Sequence, residues 1–337
     1  MSVTIKEVAE RAGVSVATAS RALSGGRGVR PANRERVLRA AKELDYEPNA
    51  VAAALRSRTT NSVGIVVPRI SNPFFATLVE AVEREAARGG QGLLLSTSQY
   101  DPEVEAGQLR SLLDRRVDAL IAVPCHSERS RAAIEAAGQR VPTVQLDLCL
   151  DGGGGSWVGV DSEAGILAAV EHLVGAGART LAYVGSEPTD SSAQARLDGY
   201  RGAAPLCPGA TERVLLGDFS LEWGHRAARR LLENRREMPE GIVCGNDTIA
   251  LGVLRELARN GVDVPRRVMV TGFDDIPFAE LAEPPLTTVR QPLEQLAAEA
   301  VRTLAARLGG GEEPHRRVAI APELVVRAST RAAPPPR

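Results

Sequence analysis

Long apolar runs, clustered cysteines and phosphate-cradling glycine motifs are all missing from this chain of 337 residues. No stretch approaches the roughly 18 uninterrupted apolar residues of a membrane helix, so no membrane partner is expected. The cysteines, Cys125, Cys149, Cys207 and Cys244, are far apart with no CxxC spacing, and the four histidines do not cluster with them. A zinc site needs clustered ligands, so neither metal nor cofactor is expected, and the cysteines read as small buried residues kept reduced. No Walker loop or nucleophile elbow occurs, and no catalytic residue is assigned. The pair Asp274–Asp275 does not change this, because adjacent positions do not set the opposed geometry of an acid and a base. Gly152 to Gly155 form a flexible loop, since no GxGxxG opens a helix there. The N-terminal MSVTIKEVAERAG has acidic residues where a secretory signal places an apolar core, which points to the cytoplasm.

What is present is ordinary in bulk and uneven in distribution. Hydrophobic residues make up 44% and charged residues 25%, as in soluble globular domains, and the length suits two domains and a small appendage. The net charge is −1, yet residues 1–60 hold eleven Lys and Arg against six Asp and Glu. That segment carries +5 and the remainder −6. A compact basic segment on an acidic body points to one part that meets a polyanion and another with a different task.

The basic segment has local structure of a specific kind. Thr4 followed by Glu7 is a capping box, and Ile5, Val8, Ala9 and Ala12 then share one helical face. Gly13 suits the left-handed end of that helix. Ser15 can cap a second helix from Val16 to about Leu23, with Ala19, Ala22 and Leu23 inward. Two short helices joined by a Gly-containing turn make a helix-turn-helix. A third helix, about Pro31 to Leu44, closes the core with Val37, Ala40, Ala41 and Leu44, and shows Arg34, Arg36, Arg39 and Lys42 outward.

Val3 to Leu23, followed by RERVLRAAKELDYEPNAVAAALRSRTTNSVGIVVP, resembles the lactose-repressor (LacI/GalR) family of transcription regulators, and the resemblance runs to about Thr330. It implies a helix-turn-helix headpiece over 1–47, a hinge over 48–60, an effector-binding and dimerising core over 61–330 and a disordered tail over 331–337. In such headpieces the start of the second helix lies in the major groove. That places Val16, Ala17, Ser20 and Arg21 at the bases, with Ser15 and Thr18 nearer phosphate, and Thr4 also on the DNA-binding face. Val16 and Ala17 can make only apolar contact, most usefully with a thymine methyl, so Arg21 is the candidate for guanine. The family usually has a capping residue just before the proline of the third helix. Here Arg30 precedes Pro31, so the cap is lost at a cost of about 1 kcal/mol and Arg30 is free to reach a phosphate.

After Pro48 the Ala-rich EPNAVAAALRSRTTNS predicts a two-turn helix, about Asn49 to Arg56, too short to be stable alone. The resemblance implies that paired hinge helices fold only on the operator, in its minor groove. Asn49 and Ala52 then lie against DNA, and Leu55 wedges a base step open.

From Asn61 onward short apolar runs alternate with helical stretches, which predicts an α/β core of doubly wound parallel sheets. About 270 residues of this pattern is too much for one sheet and gives two lobes. The fold implied is that of type I periplasmic binding proteins, with lobe one at about 62–160 and 291–320 and lobe two at about 161–290 and 321–330. Ligands in open α/β sheets sit beyond the carboxyl ends of strands. That rule selects Asn72, Phe74 and Phe75, Asp147, Asp161, Ser186 and Glu187, Asn246 and Asp247, and Asp274 and Asp275. Among these, Asp247 is expected to cap a helix and Asp275 to serve a turn or cap. Resemblance places Asp147, Arg196, Phe219, Asn246, Asp274 and Gln291 in an effector pocket, with Phe74 or Phe75 across the ligand's face.

The combined expectation is a dimeric repressor of a near-palindromic double-stranded operator, switched by a small-molecule effector. The effector is sugar-like in the first instance and nucleobase-like in the second. No leucine heptads follow Thr330, so a homodimer is expected, nucleoid-associated when on DNA. A periplasmic transporter protein would share the core but not the headpiece.

Overall fold

The N-terminal sequence has few large apolar side chains, and its core is built from small ones. The computed structural model describes residues 3–23, 28–46, 59–150, 154–207, 213–309 and 314–330. Helices α1 (Ile5–Ala12), α2 (Val16–Leu23) and α3 (Pro31–Glu43) enclose Val8, Ala9, Ala12, Ala19, Ala22, Val37, Ala40 and Ala41. Gly13, at φ 61°, ends α1 in the left-handed conformation that glycine adopts without penalty. Ser15 Oγ accepts from the Thr18 amide at 3.2 Å and opens α2. At α1 the Thr4 amide donates to the Glu7 carboxylate at 2.6 Å, and the Thr4 hydroxyl donates to the same oxygen at 2.9 Å. Arg30 begins α3 with no side-chain cap. The expected hinge residues Asn49, Ala52 and Leu55, and the tail 331–337, lie outside the described residues.

The chain divides into two units, Met1–Thr60 and Asn61–Arg337. In the second, β1 (Ser62–Val67), α4 (Pro73–Arg88), β2 (Gly92–Thr97), α5 (Pro102–Asp114), β3 (Ala119–Ala122), α6 (Arg131–Gly138), β4 (Thr143–Leu146) and β5 (Ser156–Val160) alternate in sequence. The chain continues through α7 (Ser162–Gly175), β6 (Leu181–Ser186), α8 (Ser191–Gly202), β7 (Val214–Gly217) and α9 (Leu221–Leu232). It then runs through β8 (Gly241–Cys244), α10 (Asp247–Arg259), β9 (Met269–Asp274), α11 (Pro277–Leu281) and β10 (Thr287–Arg290). Helix α12 (Leu293–Leu308), β11 (Arg317–Ile320) and β12 (Glu323–Val325) complete it.

These strands form two six-stranded sheets, ordered β11-β5-β4-β3-β1-β2 and β12-β10-β9-β8-β6-β7. Every pairing is parallel except β10 with β12. Parallel strands are covered by helices on both faces, and the side chains follow that demand. Val63, Ile65 and Val67 of β1 pack with α4 and α12 on one side, while Val66 packs with α5 on the other. Burying each such side chain is worth about 1.5–3 kcal/mol. Strand β2 departs from the expected continuous burial because it is an edge strand, and Leu95 is 43% exposed.

In each sheet the strand order reverses direction next to the first strand of its lobe, between β1 and β3 and between β6 and β8. Such switch points leave a crevice beyond the carboxyl ends of the strands. The helices that follow are held closely. Gly224 of α9 and Gly252 of α10 bring their Cα atoms so near that a Cβ on Gly224 would stand 2.2 Å from the Ile249 carbonyl oxygen. Trp223 Nε1 donates to the Gly185 carbonyl at 2.9 Å, fixing α9 to the end of β6. The loops before α9 and α10 carry Phe219 and Asn246, so this packing positions both.

Candidate functional site

The side chains expected to meet DNA lie where a partner can reach them. Ser15, Val16, Ala17 and Arg21 are exposed and Thr18 and Ser20 half-buried, whereas Ala19 and Ala22 on the inward face are buried. Val16, at 41% exposure, is a large apolar side chain left in water at a helix start. Arg21 folds back along its helix, its Nε donating to the Ala17 carbonyl at 3.2 Å. Thr4 is exposed too, with its hydroxyl committed to Glu7. That contact, chiefly through the Thr4 amide, holds the Glu7 carboxyl below its ordinary range.

In the core, both lobes line one small cavity. The first lobe supplies Asn72, Phe74, Phe75, Tyr100, Asp147 and Leu148, and the second supplies Asp190, Ser192, Arg196, Phe219, Asn246 and Asp274. Seven of the eight effector residues read from the sequence line it. The eighth, Gln291, is buried behind it and donates from Nε2 to Asp274 Oδ1 at 2.9 Å. Arg196 is at the centre. Its Nη1 donates to the Gly245 carbonyl at 2.7 Å, its Nη2 meets Asp274 Oδ1 at 3.3 Å, and its guanidinium lies 3.8 Å from the centroid of the Phe273 ring. Such a stacked fork is fixed in a way that a lysine ammonium is not.

Three buried carboxyls face this single guanidinium. Burial pushes Asp147 up to about 7, against the pull of Arg196, with Asp274 and Asp190 raising it further. Asp274 and Asp190 are raised for the same first reason, and each is partly offset, Asp274 by Arg196 and Gln291 and Asp190 by the amides of Ala193 and Ser192 and by Arg196. Asp147 Oδ1, Arg196 Nε and Gln291 Oε1 are buried without a hydrogen-bond partner. Asp147 and Asp274 also have positive φ, 63° and 111°, a conformation that costs energy and concentrates at ligand sites. Polar atoms held ready in this way suit a ligand that brings its own donors and acceptors.

Several residues chosen by strand-end position serve the scaffold instead. Asp247 does not cap α10. Asn246 does, accepting from the Ile249 amide at 2.9 Å, while Asp247 is fully buried and accepts from the Ile276 amide at 2.8 Å and Thr288 Oγ1 at 2.5 Å. Asp161 caps α7 through the Ala164 amide. Asp275, at φ 55°, lies in the short connection between β9 and α11 and pairs with Arg290 and Arg327, both at 2.7 Å. Phe74 and Phe75 belong to the first-lobe core as well as to the cavity wall, with ring centroids 5.2 Å apart. Sequence reasoning missed Tyr100, Leu148, Asp190 and Ser192. Tyr100 and Asp190 were within reach of the strand-end rule extended by a few residues past β2 and β6.

Besides the Gln291–Asp274 bond, hydrogen bonds between the lobes run from the Ser127 amide to the Thr189 carbonyl at 3.2 Å and from the Cys149 amide to Ser191 Oγ at 2.9 Å. Among the described residues no group of His, Cys, Asp and Glu could hold a metal ion, and no helix is long and apolar enough to cross a membrane.

Residues 4–49 match the model of the bacterial regulatory proteins of the lacI family, and residues 170–330 match that of the periplasmic binding protein-like domain. The transcriptional regulator DegA of Bacillus subtilis is 32% identical over 98% of both chains. The transcriptional repressor PurR of Haemophilus influenzae is 33% identical over 97% of this chain and 98% of its own. The lac repressor dimer bound to operator and the anti-inducer ONPF superposes with a TM-score of 0.89 at 28% identity, covering 98% of this chain and all of that one. Headpiece, sheet order and full-length similarity therefore agree: the chain belongs to the LacI family of bacterial regulatory proteins, and is a DNA-binding transcriptional regulator rather than an enzyme.

Proposed function

We propose that this regulator is a cytoplasmic repressor that binds a near-palindromic operator as a homodimer and is switched by an uncharged, hydroxyl-rich effector in the interlobe cavity. The observation that carries the proposal is the set of buried, partnerless polar atoms around Arg196, contributed by both lobes. Three carboxyls against one guanidinium already committed to Asp274 disfavour an anionic ligand. Sugar hydroxyls donate to carboxylates and accept from the free Arg196 Nε, and a ring face can lie on Phe74, Phe75 or Phe219. A nucleobase offers fewer donors for three carboxyls and is the second choice.

The DNA face consists of Thr4, Ser15, Val16, Ala17, Thr18, Ser20 and Arg21. Asn49, Ala52 and Leu55, which lie outside the described residues, complete the proposed DNA contact. Exposed Ile70, Leu95, Phe278 and Leu281, the last at 78%, give both lobes apolar surface that a dimer would cover. Effector that draws the lobes together at the Ser127–Thr189 and Cys149–Ser191 bonds changes how the paired first lobes meet. Coupling of this kind is typically about 1–3 kcal/mol and acts in both directions.

The experiment is operator binding by Arg196→Lys, which keeps the charge among the carboxyls but loses the fork. Operator affinity in the absence of sugar should match the wild type, and the sugar concentration needed for release should rise about tenfold, or ~1.4 kcal/mol. An unaltered sugar response would move the effector site elsewhere.

A further inference from the structure

The core is acidic in sum, but one part of its surface is not. Residues 221–267 hold nine arginines, every one exposed, against four exposed carboxylates, Glu222, Glu233, Glu237 and Asp263. No lysine follows Lys42, so this charge is carried by guanidinium throughout, the group whose planar fork matches a phosphate.

Contacts join these arginines into one band. Helices α9 and α10 share a core on one face of the second sheet and turn Arg226, Arg230, Arg255 and Arg259 outward. Between them, Arg229 Nε donates to the buried Glu256 Oε1 at 3.0 Å, and Asn260 Nδ2 donates to the same oxygen at 3.2 Å. The Asn260 carbonyl accepts from Arg235 Nη2 at 3.1 Å, and the Arg235 carbonyl accepts from Arg267 Nη2 at 3.4 Å. The band therefore runs from the outer face of the helices to the connections that precede β8 and β9. Those connections are at the amino ends of the strands, and the effector cavity is at the carboxyl ends.

Neither ion pairing nor helix geometry accounts for the band. Arg226 and Glu222 stand 3.9 Å apart, as do Arg266 and Asp263, and exposed pairs of this kind are worth little. Arg229, Arg230 and Arg259 are in the last turns of their helices, where a cation suits the dipole. That reason does not extend to Arg235, Arg236, Arg266 and Arg267, which lie beyond the ends of α9 and α10. The band also has no apolar centre. No large apolar side chain between residues 222 and 267 is exposed, and Trp223 is buried, with Arg226 and Arg230 at 5.6 and 5.5 Å from its ring. A protein partner favours an apolar centre depleted of charge, and a single strand needs rings on which to stack. The backbone of a duplex needs neither.

We propose that this band is a second DNA-binding surface, which holds the phosphate backbone of a duplex without reading its sequence. The regulator thereby bridges an operator on its headpiece and another segment of DNA on its core.

The test uses the full chain loaded with a stoichiometric short operator duplex selected from random DNA. A labelled duplex without the operator is then added at about 50 and about 200 mM salt. The loaded protein should capture it at low salt with a Kd of roughly 10⁻⁴–10⁻⁶ M, and more weakly at high salt. Arg236→Glu with Arg255→Glu should weaken capture at least about tenfold and make the salt slope less steep by about 2, with operator affinity and melting temperature unchanged. Arg110→Glu with Arg140→Glu, the same change of charge on the first lobe, should leave capture intact. The proposal is overturned if the loaded protein captures no duplex at low salt, including the case in which it captures poly-glutamate instead. Capture that survives in the folded second-lobe variant, or that falls equally in the first-lobe variant, overturns it as well.

Discussion

The two binding regions of this molecule are built on opposite principles. The headpiece presents its reading residues on the outside of a core made of alanines and valines, so Val16, Ala17 and Arg21 contribute little to folding. The effector cavity places its reading residues inside, where Arg196, Asn246 and Asp274 are at most 6% exposed and bear on each other as much as on a ligand. The lesson is that DNA specificity can change here at little cost in stability, whereas effector specificity is tied to the stability of the core.

Truncating the centre of the cavity should give the largest effect. Arg196→Ala leaves Asp274, Asp147 and Asp190 buried without their cation, and removing one partner of a buried pair costs about 3–5 kcal/mol. Denaturant unfolding should show a loss of that order, confined to the core transition.

A smaller effect, with a definite pH signature, is expected at Asp147. Its carboxyl titrates near 7 in the folded protein and near its ordinary 3.8 when unfolded. Between those values the folded state holds a proton that the unfolded chain has released, so this residue makes stability fall as pH rises through the window, with no further loss above about 7. Asp147→Asn removes the charge while keeping a residue that tolerates positive φ. Melting curves from pH 5 to 8.5 should fall for the wild type and be flatter for the variant, with the variant more stable at the alkaline end. A variant with the wild-type slope would break the claim that the cavity's charge is held at a cost.

On the headpiece the expected effects divide differently. Arg21→Ala should leave the melting temperature nearly unchanged and cost about 1–3 kcal/mol of discrimination at one base pair, read by selection on randomised operators. Arg30→Ser supplies the cap that α3 lacks. It should stabilise the headpiece by about 1 kcal/mol while lowering the salt dependence of operator binding, because one phosphate contact is lost. An unchanged salt slope would remove Arg30 from the DNA face.

The same contrast governs what the sequence revealed. The headpiece signals are local. Thr4 with Glu7, Gly13 and Ser15 mark helix ends within a few residues of chain, and the observed helices begin and end there. The long core helices and the buried strands were legible for the same reason. Strands β7, β10, β11 and β12 are fixed instead by pairing with partners distant in sequence, which a local pattern does not encode. The site divides in the same way. Arg196 was read from resemblance and Asp274 from strand-end position and resemblance, but their bond joins residues 78 apart in sequence. The burial of Asp247, in place of the expected cap, depends on Thr288 and the Ile276 amide arriving from other elements, which no local pattern encodes. Asp190 caps α8, and only the approach of the other lobe turns it into a wall of the cavity.

Switching by an effector requires that the buried cavity and the exposed headpiece share one equilibrium. That claim is tested most directly by measuring linkage in both directions, with an operator selected from random DNA and the tightest-binding sugar. The factor by which saturating sugar weakens operator binding should equal the factor by which saturating operator weakens sugar binding, at about 5–150-fold. An operator affinity that is the same with and without bound sugar would contradict it.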